Sequence, residues 1–123
     1  MTLTKLVKTA VDALDDIKGR DITVLDVRKL TTLFDRMIIV SADSTRQAKA
    51  LANNLQEKVK AQGGKVHGVE GEQVGEWVLV DLGAVIVHIM QPAIRQHYNL
   101  EELWTPPRAT RRRASASAEA ARE

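Results

Sequence analysis

The side chains that could perform chemistry in this chain do not fall into a catalytic or metal-binding pattern. His67, His88 and His97 are its only imidazoles. No two of them have the four-residue helical spacing that holds zinc in a His-Glu-x-x-His site. Ser44 lacks the Gly-x-Ser-x-Gly sequence of a nucleophile elbow, and its position three residues before Gln47 predicts a helix cap instead. We therefore expect neither a metal site nor a nucleophilic serine.

Motifs for nucleotide binding and acid–base catalysis are missing from the sequence as well. Neither the phosphate loop that ends in Gly-Lys-Ser/Thr nor the dinucleotide motif Gly-x-Gly-x-x-Gly occurs. The pair Gly63-Gly64 follows a predicted helix and indicates helix termination. Asp12, Asp15 and Asp16 cluster on another predicted helix, whose polar face must carry charge in any case. The sequence thus predicts no cofactor and no enzyme activity.

The composition is typical of one soluble globular domain. The 123 residues are 44% hydrophobic and 28% charged, and this length suits a single apolar core. There is no cysteine, so neither a disulfide nor a thiolate metal site can form. No stretch has the pattern of a signal peptide or the length of a membrane span. We expect a cytoplasmic protein that does not enter the membrane.

Charge is divided unevenly along the chain. Residues 105–123 hold five of the 18 basic and two of the 16 acidic residues, which leaves thirteen basic and fourteen acidic residues in 1–104. We predict that 1–104 form the folded domain and that 105–123 form a disordered Arg/Ala/Ser-rich tail. The cluster Arg111 to Arg113 could contact RNA phosphates, although a solvated extension without a partner is the preferred interpretation.

Hydrophobic periodicity predicts the element order helix, two strands, helix, three strands, helix. Apolar residues at three- and four-residue spacing predict helices over 3–17 and 45–62, and Pro92 begins a last helix that reaches Glu102. Segments rich in β-branched residues predict strands at 22–27, 37–40, 65–69, 76–82 and 85–90. This order predicts an α/β fold, a mixed β-sheet of about five strands packed with helices.

The last two predicted strands form a hairpin whose two faces differ in composition. Because side chains alternate across a strand, one face is wholly aliphatic and predicts core: Val78, Val80, Leu82, Val85, Val87 and Ile89. The opposite face, called the hairpin face below, carries Trp77, Leu79, Asp81, Ile86, His88 and Met90. Such a mixture around a tryptophan predicts an interface with a macromolecular partner. The alternative is that the terminal helix covers this face.

A series of short segments in residues 1–104 follows the order of a known family. In the second half they are Gly68 to Glu72 (GVEGE), Glu76 to Gly83 (EWVLVDLG), Val85 to Met90 (VIVHIM), Arg95, Tyr98, Leu100-Glu101 and Leu103-Trp104. In the first half they are Asp21-Ile22, Leu25 to Val27, Asp35, Met37 to Val40 and Ser44. Together these segments resemble the ribosomal silencing factor family, also called Iojap-like.

The resemblance implies an α/β fold of nucleotidyltransferase-like topology without the catalytic carboxylates. It also implies a factor that binds the large ribosomal subunit through ribosomal protein uL-fourteen and sterically blocks joining of the small subunit. Translation would thereby be repressed under nutrient limitation, as in stationary phase. The partner-binding role then falls on Trp77, Leu79, Asp81, Leu82, His88, Met90, Arg95 and Tyr98. Alternation, by contrast, places Leu82 on the core side.

Other functions stay open at this point. One is an assembly factor for the large subunit, with Arg108 and Arg111 to Arg113 contacting ribosomal RNA. Another is a vestigial nucleotidyltransferase-like enzyme, which rests on fold analogy alone. Relatives suggest a homodimer, and the sequence does not say whether dimer and ribosome would compete. The chain also has Ala84 where many relatives have an acid.

Overall fold

A five-stranded mixed sheet organises the structure, a computed structural model that describes residues 1–104. Its strands are β1 (Arg20–Asp26), β2 (Arg36–Ser41), β3 (Gly68–Glu70), β4 (Trp77–Asp81) and β5 (Val85–Met90). They lie in the order β1-β2-β5-β4-β3. The β2–β5 pair is parallel, and the other three neighbouring pairs are antiparallel. The predicted α/β fold with a mixed sheet is confirmed.

Two long helices cover one face of the sheet. They are α1 (Leu3–Asp16) and α2 (Thr45–Ala61). The Ser44 hydroxyl accepts a hydrogen bond from the Gln47 backbone N–H at 3.1 Å, so the predicted cap of α2 is confirmed. Apolar stripes of both helices pack against β2 and against the aliphatic face of β4 and β5. Together these residues form the main core. Among the described helices, none is long and apolar enough to cross a membrane.

The observed elements depart from the predicted ones at three places. The last helix is divided into α3 (Pro92–Tyr98) and α4 (Leu100–Leu103), because Asn99 adopts a left-handed conformation with φ 47°. Asparagine tolerates this conformation better than most residues. The third strand covers Gly68–Glu70 rather than 65–69. Strand β1 begins at Arg20, and its register with β2 shifts between Arg20 and Thr23. The predicted tail 105–123 and its arginines lie outside the described residues.

Candidate partner-binding site

The register of the β4–β5 hairpin determines which side chains share a face. Trp77 pairs with Met90, Leu79 with His88, and Asp81 with Ile86. Directly paired residues point to the same side of a sheet. The six residues of the hairpin face therefore lie on one side, as side-chain alternation predicted, and the aliphatic set is buried on the other.

The two short terminal helices cover one end of the hairpin face. Val27, Met37, Ile39 and Met90 form a second buried cluster, against which Ile94 of α3, Leu100 of α4 and Trp104 pack. The alternative arrangement, in which the terminal helix covers this face, therefore holds for that end. Met90 is fully buried. In this structure α3 and α4 occupy the space above its side chain, so burial does not favour the predicted partner contact by Met90, which stays a prediction.

An aromatic cluster lies where the covered and open parts of the face meet. The Trp77 indole Nε1–H donates a 2.9 Å hydrogen bond to Nδ1 of His88. On its other side the Trp77 ring contacts Tyr98 of α3, with ring centroids 4.8 Å apart. Trp77 is half-buried and Tyr98 is 49% exposed. The cluster, defined as Trp77, His88 and Tyr98, thus offers aromatic surface to solvent while the indole donor is satisfied internally.

His88 supports this cluster from below. It is only 7% exposed, and burial lowers its pKa from 6.5 to about 4. Because Nδ1 accepts the bond from Trp77, the neutral imidazole carries its proton on Nε2. In this structure His88 holds the Trp77 indole through this hydrogen bond, and a direct partner contact by His88 stays a prediction.

The Arg95 side chain projects from α3 toward the sheet rather than into solvent, and only 11% of it is exposed. Its Nη1 donates to the Ser41 hydroxyl at 2.8 Å, and Nη2 donates to the Thr23 hydroxyl at 3.0 Å. Nε and Nη2 also bind the Glu101 carboxylate at 3.1 and 2.9 Å. These four groups are called the Arg95 network below. The guanidinium is occupied within the fold, so the prediction that it contacts a partner is not supported.

The open end of the hairpin face lies toward the β4–β5 turn. Leu79, Asp81 and Ile86 are half-buried there, and Glu70 of β3 pairs with Leu79 and is exposed on the same side. Within residues 1–104, no ion pair engages Glu70 or Asp81. An apolar patch bordered by two carboxylates is the result. This arrangement is complementary to a partner with a basic rim around apolar side chains.

The β4–β5 turn fixes the positions of two predicted partner-binding residues, Asp81 and Leu82. Asp81 Oδ1 accepts a 2.8 Å hydrogen bond from the Gly83 N–H, and Gly83 adopts φ +87°. Leu82 is 4% exposed and belongs to the main core on the helix side. Side-chain alternation had indicated this position correctly, and burial does not favour the partner role predicted for Leu82, which stays a prediction. Ala84 lies half-buried beside the turn.

Some residues of this site were not predicted from sequence. Thr23, Ser41 and Glu101 fix Arg95, although Thr23 and Ser41 lie far from it in the chain. Glu70 extends the open end, and only the position of β3 beside β4 places it there. Alternation within β4 alone does not identify Glu70, because its face depends on the β3–β4 register. No group of three or more His, Asp or Glu side chains in the described range could hold a metal ion.

Comparison with known proteins identifies a group with the same sequence pattern and fold. The model of a family described as "Ribosomal silencing factor during starvation" matches residues 1–123. The "Ribosomal silencing factor RsfS" of Chromobacterium violaceum is 54% identical over 104 residues, which are 85% of this chain and 85% of that protein. A mouse protein named "Mitochondrial assembly of ribosomal large subunit protein 1" is 33% identical over 98 residues, or 77% of this chain and 43% of the mouse protein.

A solved structure superposes over most of this chain. A crystal structure of a Chromobacterium violaceum protein superposes with a TM-score of 0.84 at 49% sequence identity. It covers 94% of this chain, and this chain covers 97% of it. The similarity therefore extends over the sheet, the two long helices and the hairpin face.

Proposed function

Because this chain belongs to the ribosomal silencing factor family, we propose that it represses translation by binding the large ribosomal subunit. The proposed partner on that subunit is ribosomal protein uL-fourteen, and the bound factor would sterically prevent the small subunit from joining. This action takes place in the cytoplasm when nutrients are limiting. It involves no turnover and no cofactor, so the protein acts as a binding factor and not as an enzyme.

The observation that supports this proposal most directly is the partly exposed aromatic cluster beside an open apolar patch. Interfaces concentrate binding energy in large aromatic anchors surrounded by a polar rim. Trp77 and Tyr98 form such an anchor, and Leu79 and Ile86 continue it toward the turn. The hairpin face thus has an apolar centre, and its tryptophan is held by the hydrogen bond to His88.

The charge at this site suits a component of the ribosome. Glu70 and Asp81 border the apolar patch and take part in no ion pair of the described chain. Proteins that lie on RNA carry lysine and arginine to neutralise phosphates. A basic ribosomal protein would therefore meet opposite charge at the rim of the surface, which speeds encounter and fixes register.

Side-chain exposure supports a division of the predicted partner-binding residues into two groups. Trp77, Leu79, Asp81 and Tyr98 have exposed surface and are the proposed contact residues, together with Ile86 and Glu70. The remaining members hold that surface in place from within the fold: Leu82, His88, Met90 and Arg95. This division leads to different expectations for substitutions. Changes in the first group should remove contacts with the partner directly, whereas changes in the second group should act on binding only through the position or stability of the surface.

Co-sedimentation with purified ribosomal subunits tests the proposal. We expect the wild-type protein to pellet with the large subunit and to reduce formation of joined ribosomes in a sucrose gradient. Tyr98→Ala should pellet poorly and should not reduce joining. Leu33→Ala is a matched control, since Leu33 is 82% exposed but lies in the β1–β2 connection. Absence of wild-type binding to the large subunit would refute the proposal.

Large-subunit assembly is a second candidate function, favoured by the name of the mouse relative. The two functions differ in what happens when the protein is missing. An assembly role predicts accumulation of incomplete large subunits in cells that lack the protein during growth. Silencing alone predicts complete large subunits and a failure to lower translation on starvation. Sucrose-gradient profiles of growing and starved cells that lack the protein distinguish assembly from silencing. Self-association as a homodimer stays a separate prediction.

A further inference from the structure

We propose that Arg95 is a positioning residue for the partner-binding surface, acting by holding α3 against the sheet so that Tyr98 stays against Trp77. This inference rests on the proposed function, in which that aromatic pair contacts the ribosome. Arg95 itself touches no partner in this mechanism. Its effect on binding is transmitted entirely through the position of the helix that carries Tyr98.

The terminal helices are short and contribute only partly buried apolar side chains, so polar contacts add to what holds them on the sheet. Within the described chain, neither α3 nor α4 contributes a fully buried side chain. Ile94 and Leu100 are only half-buried against the second cluster. A helix of seven residues has little stability of its own, because isolated helices need roughly 12–15 residues to form in water. The position of α3 therefore depends strongly on its polar contacts with the sheet.

Arg95 supplies polar contacts from α3 to the sheet and to α4. Its guanidinium reaches Thr23 on β1, Ser41 on β2 and Glu101 on α4, with four hydrogen bonds between 2.8 and 3.1 Å. One side chain thereby joins four elements. The planar fork of arginine allows the two-pronged bond to Glu101 while other N–H groups point to the hydroxyls. Lysine carries the same charge but cannot reproduce this geometry.

The link from Arg95 to the surface is short. Tyr98 lies three residues after Arg95, so the two side chains project from neighbouring turns of the same helix. The Arg95 carbonyl also accepts the N–H of Asn99 at 2.9 Å, which closes the helix directly after Tyr98. The Tyr98 ring in turn contacts Trp77 at a centroid distance of 4.8 Å. One ring of the aromatic pair thus belongs to a strand and the other to a helix that Arg95 holds.

The first test is spectroscopic and needs no ribosome. The chain has two tryptophans, so 5-fluorotryptophan labelling gives two fluorine resonances, and Trp77→Phe assigns them. Arg95→Lys should shift or broaden the Trp77 resonance while thermal unfolding stays cooperative. Thr23→Val, which removes one acceptor at nearly constant volume, should produce a smaller change of the same kind. Arg36→Lys is the matched control, since Arg36 is a partly buried arginine paired with Asp26.

The second test is a double-substitution cycle in large-subunit binding. We expect Arg95→Lys to weaken binding about tenfold, and Arg36→Lys to leave it unchanged. If Arg95 acts through Tyr98, Arg95→Lys should cause no additional loss in a Tyr98→Ala background. Additive losses would overturn the proposal, because they would mean that Arg95 contacts the partner or acts by another route.

The two tests separate failure of this inference from failure of the proposed function. If the wild-type protein does not bind the large subunit, the proposed function fails, and the fluorine spectra still decide whether Arg95 sets the surroundings of Trp77. An unchanged Trp77 resonance in both Arg95→Lys and Thr23→Val would overturn the positioning role whatever the binding result. Should Arg95→Lys not fold, Thr23→Val carries both measurements.

Discussion

Mild acidification should destabilise this protein through His88. The buried imidazole has a pKa of about 4 instead of 6.5 because burial disfavours its charged form. Between these two values the unfolded chain binds a proton that the folded chain does not. His88 therefore does not reduce the free energy of unfolding above about pH 6.5. The reduction grows as the pH falls and is complete below about pH 4. Protonation would also place a donor at Nδ1, where the Trp77 N–H needs an acceptor.

The expected magnitude follows from the two pKa values. At about pH 5 the difference lowers the free energy of unfolding by roughly 2 kcal/mol, and the full effect below both values is roughly 3 kcal/mol. The Asp26 carboxylate does not contribute in this window. The hydrogen bonds from Arg28 lower its pKa from 3.8 to about 2, so its effect is confined to more acidic solutions. One histidine should therefore account for most of the loss between about pH 7 and pH 5.

Urea unfolding at about pH 7.5 and pH 5 measures this effect. His88→Asn offers an oxygen to the indole N–H but does not titrate, so its stability should change much less between the two pH values than that of the wild type. His97→Asn is the control, since His97 is exposed and should leave the wild-type dependence intact. Equal losses in wild type and His88→Asn would refute the argument, because the proton would then bind elsewhere.

Three further substitutions test the division between supporting and contacting residues. Met90→Ala should lower the free energy of unfolding by about 2–5 kcal/mol in urea titrations, because it opens a cavity beneath α3 and α4. Tyr98→Ala should weaken large-subunit binding about tenfold or more in sedimentation assays while the melting temperature changes little, since half of the ring is exposed. Ser44→Ala should cost about 1 kcal/mol in the same urea titrations and leave binding unchanged, because it removes only the cap of α2.

The sequence was most informative where the two-residue alternation of a strand determines which face a side chain points to. Alternation along β4 and β5 assigned Trp77, Leu79 and Asp81 to one face, because a two-residue period leaves only two choices. The same reasoning placed Leu82 in the core, against the role inferred from the family. The cap at Ser44 was likewise predictable, since it depends on residues only three positions apart.

Features that depend on distant contacts could not be read in this way. Burial of Met90 follows from how α3 and α4 dock, and that docking uses a hydrogen bond from Arg95 to Thr23, 72 positions earlier. The division of the last helix depends on a single left-handed residue, Asn99, within an otherwise helical pattern. His88 and Arg95 were recognised as important, but their types alone did not distinguish a contact residue from a buried support.

The central strand pair has a consequence for the time at which this protein becomes functional. Strands β2 and β5 pair in parallel, with Arg36 opposite Val85, so the middle of the sheet joins segments about 50 positions apart. During synthesis, β2 can pair with β1 first, and its other edge stays unpaired until β5 of the hairpin has been made. The helix that carries Tyr98 is made later still. A nascent chain should thus lack the aromatic surface until nearly all of residues 1–104 have left the ribosome. The protein should therefore be unable to bind a partner through this surface while it is still being synthesised.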